Sequence, residues 1–153
     1  MKIVDKMKDD ELGLALLYNF TKGYGKPVPM EYYDFVLPLL YNDIFREEIR
    51  NHKNLVSCIQ NCIAQDTCFQ EDILKNIDTY KSMTSKALGV AMIQHILSFE
   101  IVEQTMCGVL LKSNILDLNE AIQLGRMVQD LTIQDIKKLL KKESKKIVIL
   151  QAA

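Results

Sequence analysis

The fold is decided by the stretch at residues 71–99, which reads EDILKNIDTYKSMTSKALGVAMIQHILSF. It contains no proline, and its apolar and small residues recur at about the spacing of one helical face. Those positions are Ile73, Ile77, Tyr80, Thr84, Ala87, Ala91 and Leu97. The pattern predicts one helix over 71–99, far longer than the roughly 11–12 residues of an average helix. We expect a helix of this length at the centre of the fold.

Three shorter helices are predicted before the long one. The first begins at residue 9 or 10, where an aspartate can cap it, and ends at Gly23 or Gly25, where a left-handed cap is easily adopted. The second opens at Pro29, which suits a first helical turn, and continues to residue 45. Pro38 lies inside it and is expected to kink it. The third covers residues 51–65 and carries apolar residues on one face.

The chain changes character after the long helix. Residues 101–116 are rich in β-branched and apolar side chains, and the pair Ser113-Asn114 is typical of a turn, so a β-hairpin is predicted there. Asp117 with Glu120, and Thr132 with Asp135, have the spacing of capping boxes and predict two more helices. The tail at residues 146–150 is predicted to be a strand that pairs with the hairpin.

These elements predict a mainly α-helical, compact single domain over residues 1–153, with a long central helix and a small β-hairpin. A winged-helix-like arrangement of the long helix and the hairpin is left open. The 153 residues include 19 basic and 20 acidic ones, so no overall charge draws the molecule to nucleic acid or to an anionic membrane. Because no signal peptide or membrane span is recognisable, a cytoplasmic protein without membrane contact is expected.

The sequence offers little for catalysis. No glycine-rich phosphate loop, metalloprotease motif or nucleophile-elbow motif is present, and neither histidine has a partner at a recognisable catalytic spacing. The four cysteines are Cys58, Cys62, Cys68 and Cys107. Their spacing lacks the short knuckle of a zinc site, so we interpret them as core thiols. We therefore expect no enzyme activity, no cofactor and no bound metal.

The strongest charge feature is a run of lysines near the C-terminus. The positions considered for weak nucleic-acid contact are Lys138, Lys141, Lys142 and Lys145. Lysines four residues apart share a helical face and could neutralise phosphates. The alternative is a solvated face opposite Ile136, Leu139 and Leu140. Specific readout of bases usually relies on arginine, asparagine or glutamine, and none of the chain's three arginines lies in this run, so any such binding is expected to be weak.

One region is similar to a known family. The stretch GLALLYNFTKGY at residues 13–24, followed by VPM at 28–30 and FVLPLLY at 35–41, resembles the N-terminal signature of the middle component proteins of ABC-three-component systems. The segment QLGR at residues 123–126 resembles that family's Leu-Gly-Arg segment. The chain departs from the pattern at Tyr18, where the family often has tryptophan, and at Glu11-Leu12, where Asn-Pro is common.

The resemblance implies a small, non-enzymatic adaptor or regulator that links an ABC-type ATPase to an effector in a bacterial conflict or antiphage defence system. Both proteins would be its partners. The family-motif residues, with a structural or interface role, are Phe20, Gly23, Tyr24, Pro29, Phe35 and Pro38. The alternative function is a winged-helix-type regulator that binds nucleic acid through the lysine run.

Overall fold

The computed structural model describes residues 9–111 and 113–141. The elements, in chain order, are α1 (Asp9–Tyr24), β1 (Val28–Pro29), a 3₁₀ turn (Met30–Phe35), α2 (Val36–Leu40), α3 (Asp43–Glu48), a second 3₁₀ turn (Ile49–Asn51), α4 (Leu55–Gln65), α5 (Phe69–Ile93), β2 (Leu97–Val102), β3 (Thr105–Leu110), α6 (Asn119–Met127) and α7 (Ile133–Leu140). The prediction of a mainly α-helical fold with a long helix and a small hairpin is confirmed.

The long helix α5 packs against α1, α2, α4, α7 and the first 3₁₀ turn, so it is central, as predicted. It ends at Ile93 rather than at residue 99, because a C-terminal cap intervenes. The N–H of Ile96 bonds to the carbonyl of Ala91 at 2.8 Å, and the N–H of His95 bonds to that of Met92 at 3.1 Å. This is a Schellman motif with His95 in the left-handed conformation, at φ 58°. His95 is therefore an exposed capping residue and not a packed side chain of the helix.

The single helix predicted from Pro29 to residue 45 is wrong, because the structure divides it into a 3₁₀ turn and the short helices α2 and α3. Pro38 lies in the first turn of α2, where its missing N–H leaves no hydrogen bond unmade. Asn42 then caps α3 by accepting a bond from the N–H of Phe45 at 3.0 Å. Helix α4 begins at Leu55 rather than at residue 51, since Asn54 caps it in the same way.

The three strands form an antiparallel sheet in the order β1-β3-β2. Val102 pairs with Thr105, so the hairpin turns at Glu103-Gln104. The turn predicted at Ser113-Asn114 is therefore wrong, and the hairpin lies earlier in the chain. Long α5 followed directly by this hairpin is compatible with the winged arrangement that the sequence left open.

Helices α1 and α6 cross at their glycines. A Cβ on Gly23 would lie 1.9 Å from the carbonyl oxygen of Ile122, and one on Gly125 would lie 2.2 Å from that of Phe20. Only hydrogen atoms fit in these places, so the two backbones touch. Gly23 thus lies in the last turn of α1, whereas Gly25, at φ 75°, is the left-handed residue that follows the helix. The two helices are therefore in direct backbone contact at this crossing.

The two C-terminal helices begin differently. Thr132 and Asp135 form the predicted capping box of α7, with both hydrogen bonds present at 3.0 and 3.1 Å. The capping box predicted for α6 is wrong: Leu118 precedes the helix without a side-chain cap, and Asp117 pairs instead with Lys22 at 2.7 Å. The strand predicted at residues 146–150 lies outside the described residues.

Candidate interaction surfaces

The family-motif residues lie in the interior. Phe20, Tyr24 and Phe35 are at most 5% exposed, Gly23 and Pro38 are buried, and Pro29 is half-buried. The rings of Phe20 and Phe35 meet edge to face with centroids 6.1 Å apart, and Phe20 also stacks on Tyr24. Gly23 supplies the contact with α6. These six residues pack the fold, and an interaction surface has to be found elsewhere.

The lysine run is described only as far as residue 141. Lys138 and Lys141 are exposed at the end of α7, whereas Lys142 and Lys145 lie outside the described residues. Lys137, on the same helix, is 3.6 Å from the carboxylate of Glu31. The apolar side of α7 is buried through Ile136 and Leu140. The described lysines thus occupy the solvent side of an amphipathic helix.

Three of the four cysteines are buried, and Cys68 is exposed. The hydrogen bond with Cys58 and burial both raise the pKa of the Cys62 thiol, which disfavours a reactive thiolate. Among residues 9–111 and 113–141, no group of three or more histidine, cysteine or acidic side chains is placed to hold a metal ion.

His52 has close partners that its sequence spacing did not reveal. Its Nδ1 lies 3.0 Å from Ser57 Oγ, and its Nε2 lies 2.9 Å from Glu48 Oε2. Gln65 donates to the other oxygen of Glu48, and the bond with His52 is the main cause that lowers the pKa of that carboxyl group. The carbonyl of His52 also accepts a bond from Gln123 at 2.9 Å.

Serine, histidine and glutamate are arranged in this network as in a catalytic relay. The hydrogen bonds of Ser57, however, suit a structural role. Ser57 Oγ has a second partner in the carbonyl of Asn54 at 3.3 Å, and the N–H of Ser57 is already bonded to the cap Asn54. That N–H is therefore not available to stabilise an oxyanion. We interpret the cluster as a structural hydrogen-bond network that connects α3 and α4 to α6.

The tip of the hairpin exposes apolar side chains. We call the six exposed residues Ile101, Val102, Glu103, Gln104, Thr105 and Met106 the wing tip. Ile101 is 71% exposed, and it pairs across the strands with Met106, which is 46% exposed. Glu103 and Gln104 both have positive φ, at 49° and 68°, a conformation that favours glycine or asparagine. The tip therefore carries apolar exposure and backbone strain in one place.

A second surface is a cleft between α6 and the second 3₁₀ turn, bordered by the end of α1. We call it the basic cleft; its volume is about 980 Å³, and it is open to solvent. Its lining comprises Lys22, Ile49, Arg50, Asn51, His52, Lys53, Asp117, Asn119, Glu120, Ile122, Gln123 and Arg126. Four of these side chains are lysine or arginine and two are acidic, in a chain whose net charge is −1. No local pattern predicts it, because its residues come from three separate parts of the sequence.

Two of the four cations in the basic cleft are paired. Lys22 Nζ lies 2.7 Å from Asp117 Oδ1, and Arg50 Nη2 lies 2.8 Å from Glu120 Oε1. Lys53 and Arg126 have no ion-pair partner within the part of the chain that the structure describes. The apolar residues of the lining are Ile49, which is fully buried, and Ile122, which is 8% exposed.

Comparisons with known proteins give one result. Curated proteins and solved structures yield no match. In the described residues, no helix is both long enough and apolar enough to cross a membrane. The family described as ABC-three component (ABC-3C) system Middle Component 3 matches residues 12–141, which is most of the chain and includes the glycine crossing and the basic cleft. The chain therefore belongs to the Middle Component 3 family of ABC-three component systems.

Proposed function

We propose that this protein is a non-enzymatic adaptor that links the ABC-type ATPase of its system to an effector. Membership of a three-component system implies protein partners. The observation that carries the proposal is the wing tip, where Ile101 and Met106 form an exposed apolar pair at the end of a hairpin. Neighbouring apolar side chains left in water at a projecting tip are typical of a protein contact.

Backbone strain at the same tip supports this proposal. Glu103 and Gln104 occupy left-handed conformations that are expected to cost about 1–2 kcal/mol each, compared with glycine. If the turn served only to stabilise the hairpin, Asn-Gly would be the favoured pair at these two positions. Strained residues concentrate where a protein binds or switches. A partner contact would account for both the strain and the apolar exposure.

The alternative is a nucleic-acid-binding regulator of winged-helix type, and the observation that favours it is the order of α5 and the hairpin. The charges of α5 and of the hairpin argue against nucleic-acid binding. Helix α5 has three acidic and three basic residues, and the hairpin from Leu97 to Leu110 has Glu100 and Glu103 but no lysine or arginine. A long helix and wing with a net negative charge would be repelled by phosphates.

Purified complexes test the adaptor proposal. The chain is co-expressed with the ATPase and the effector of its own system, and the complex is followed by size-exclusion chromatography. The double variant Ile101→Thr with Met106→Thr is expected to release one of the two partners. The double variant Met92→Thr with Ile93→Thr is the matched control, because it removes the same two residue types at similar exposure, 50% and 73%, away from the tip. Wild-type protein that elutes apart from both partners would refute the adaptor function.

Nucleic-acid binding and catalysis are tested separately. Labelled duplex DNA is titrated at about 50 and about 150 mM salt, with Lys138→Glu and Lys141→Glu as variants. We expect weak binding that disappears at the higher salt. Hydrolysis of an activated ester by wild-type protein and by Ser57→Ala examines the His52 cluster. Activity that is lost in Ser57→Ala would contradict the non-enzymatic part of the proposal.

A further inference from the structure

We propose that the basic cleft binds an acidic, partly apolar peptide segment of a protein partner. This proposal rests on the adaptor function above and adds the site and the chemistry of one contact. The cleft is a different surface from the wing tip, because it is formed by α1, α6 and the second 3₁₀ turn. An adaptor needs two such surfaces if it is to hold two proteins at once.

The charges of the cleft favour carboxylates. Lys53 and Arg126 are exposed, and each lacks an acidic partner among the described residues. A guanidinium group such as that of Arg126 presents a planar set of donors that matches a carboxylate in two parallel hydrogen bonds. Two unpaired cations on one cleft therefore suit a ligand with at least two acidic side chains.

The two ion pairs in the cleft can exchange their acidic partner for a carboxylate of the ligand. Lys22 with Asp117, and Arg50 with Glu120, lie near the surface, where such pairs contribute little to stability. A carboxylate of the ligand can share or replace Asp117 or Glu120 as the acceptor. Arg50 directs both Nε and Nη2 at one oxygen of Glu120, at 3.1 and 2.8 Å, so its donors already point toward an anion.

The shape of the cleft favours a peptide over a small molecule. An open cleft of about 980 Å³ is at the upper end of the volume range for small-ligand sites and does not enclose its contents. Ile122, which is 8% exposed, offers a small apolar contact, and the amides of Asn51, Asn119 and Gln123 also line the cleft. These amides can bond to the backbone of an extended segment, which alternates its side chains between the two faces.

A nucleic-acid backbone fits this cleft less well. The two acids in its lining halve the positive charge, and Glu47 and Glu48 lie directly before the second 3₁₀ turn. A row of phosphates would meet these carboxylates, whereas a short peptide can place its acids at the two unpaired cations alone. The close contact of α6 with α1 sets the relative positions of the backbones that carry Lys22 and Arg126, so mainly their side chains have to be ordered on binding.

The test uses isotope-labelled full-length protein and two synthetic peptides. The probe is acetyl-Asp-Glu-Leu-Glu-Asp-Leu-Glu-amide, and the control peptide replaces every acid by its amide. Amide chemical shifts are expected to change at residues 50–53 and 117–126 with the acidic probe alone. Shifts spread over the whole surface, or the same shifts with the amide peptide, would overturn the proposal, as would no shift at millimolar probe.

Single variants test which cations of the cleft bind the probe. Arg126→Gln and Lys53→Gln are each expected to weaken binding of the probe about tenfold, which corresponds to about 1.4 kcal/mol. Lys75→Gln, on the exposed side of α5, is the matched control and should leave the affinity unchanged. Equal affinity for all four proteins would show that the cleft is not the site.

The same variants separate this proposal from the adaptor function. If the ternary complex with the ATPase and effector forms and Arg126→Gln with Lys53→Gln leaves it intact, the cleft proposal fails and the adaptor function stands. If the acidic probe binds in the cleft but the chain joins neither protein, the adaptor function fails and the cleft remains a peptide site.

Discussion

The glycine crossing gives the sharpest prediction for stability. In Gly125→Ala, the new Cβ would lie 2.2 Å from the oxygen of Phe20, 2.6 Å from the nitrogen of Tyr24 and 2.9 Å from the carbonyl carbon of Gly23. All three atoms belong to the backbone of α1, so no side chain can rotate away. Real Cβ contacts are almost never shorter than 3.0 Å, and helices α1 and α6 must therefore separate by about 1 Å.

Two opposing effects determine the change in unfolding free energy that we expect for Gly125→Ala. Overpacking a core costs about 1–3 kcal/mol, and the upper end applies because the obstacle is rigid backbone. Alanine in place of glycine favours a helix by about 0.5–1 kcal/mol. The expected net loss is about 2 kcal/mol of unfolding free energy. With a urea m-value of about 2 kcal/mol/M, the unfolding midpoint falls by about 1 M.

Urea unfolding followed by circular dichroism measures this difference. Gly89→Ala is the matched control, because a Cβ there meets no atom within 4 Å and the residue lies inside α5. It is expected to gain about 1 kcal/mol from helix propensity alone. A Gly125→Ala variant as stable as the wild type, or midpoint shifts in the same direction for both variants, would contradict a steric clash at this crossing.

Three further predictions concern caps and pH. His95→Gly should stabilise the fold by about 1 kcal/mol in urea unfolding, because glycine adopts the left-handed cap without strain, whereas His95→Ala should show no such gain. Thr132→Ala should cost about 1 kcal/mol by removing the cap of α7, and Thr132→Ser should retain most of that stability. The pKa of Glu48 is lowered in the fold by its bond to His52, so its contribution is present above the ordinary carboxyl pKa and is lost as the pH falls through the folded value. Unfolding midpoints between pH 7 and pH 3 should therefore fall less steeply in Glu48→Gln than in the wild type, and parallel slopes would contradict this.

Elements with a local signal could be predicted from the sequence. The capping box of Thr132 and the left-handed Gly25 depend only on residues a few positions apart, and both are present. The prediction of one helix from Pro29 is wrong because Asn42 caps a new helix at a point where the apolar pattern of the sequence continues without a break. The hairpin turn was misplaced because Glu103-Gln104 is an unfavourable pair for such a turn, whereas Ser113-Asn114 is a favourable one.

The interaction surfaces could not be predicted in the same way. The basic cleft combines Lys22, Arg50 and Arg126, which are far apart in the chain and come together only when α1 and α6 cross. The spacing of Asp117 and Glu120 predicts a helix cap, whereas the partner of Asp117 in the structure is Lys22, 95 residues earlier. Both glycines of the crossing lie in segments that resemble the family signature, but sequence alone could not show that they touch.

The distance along the chain between α1 and α6 has a consequence for synthesis. Gln129, just after α6, donates a hydrogen bond to the carbonyl of Gly23, 106 positions earlier. A ribosome that adds about 5–20 residues per second needs about 5–20 s to make the intervening chain. Throughout that time the face of Phe20, Gly23 and Tyr24 that α6 finally covers has no α6 to pack against. A nascent chain of this length therefore exposes an apolar face of α1 to chaperones and proteases before it can close its core.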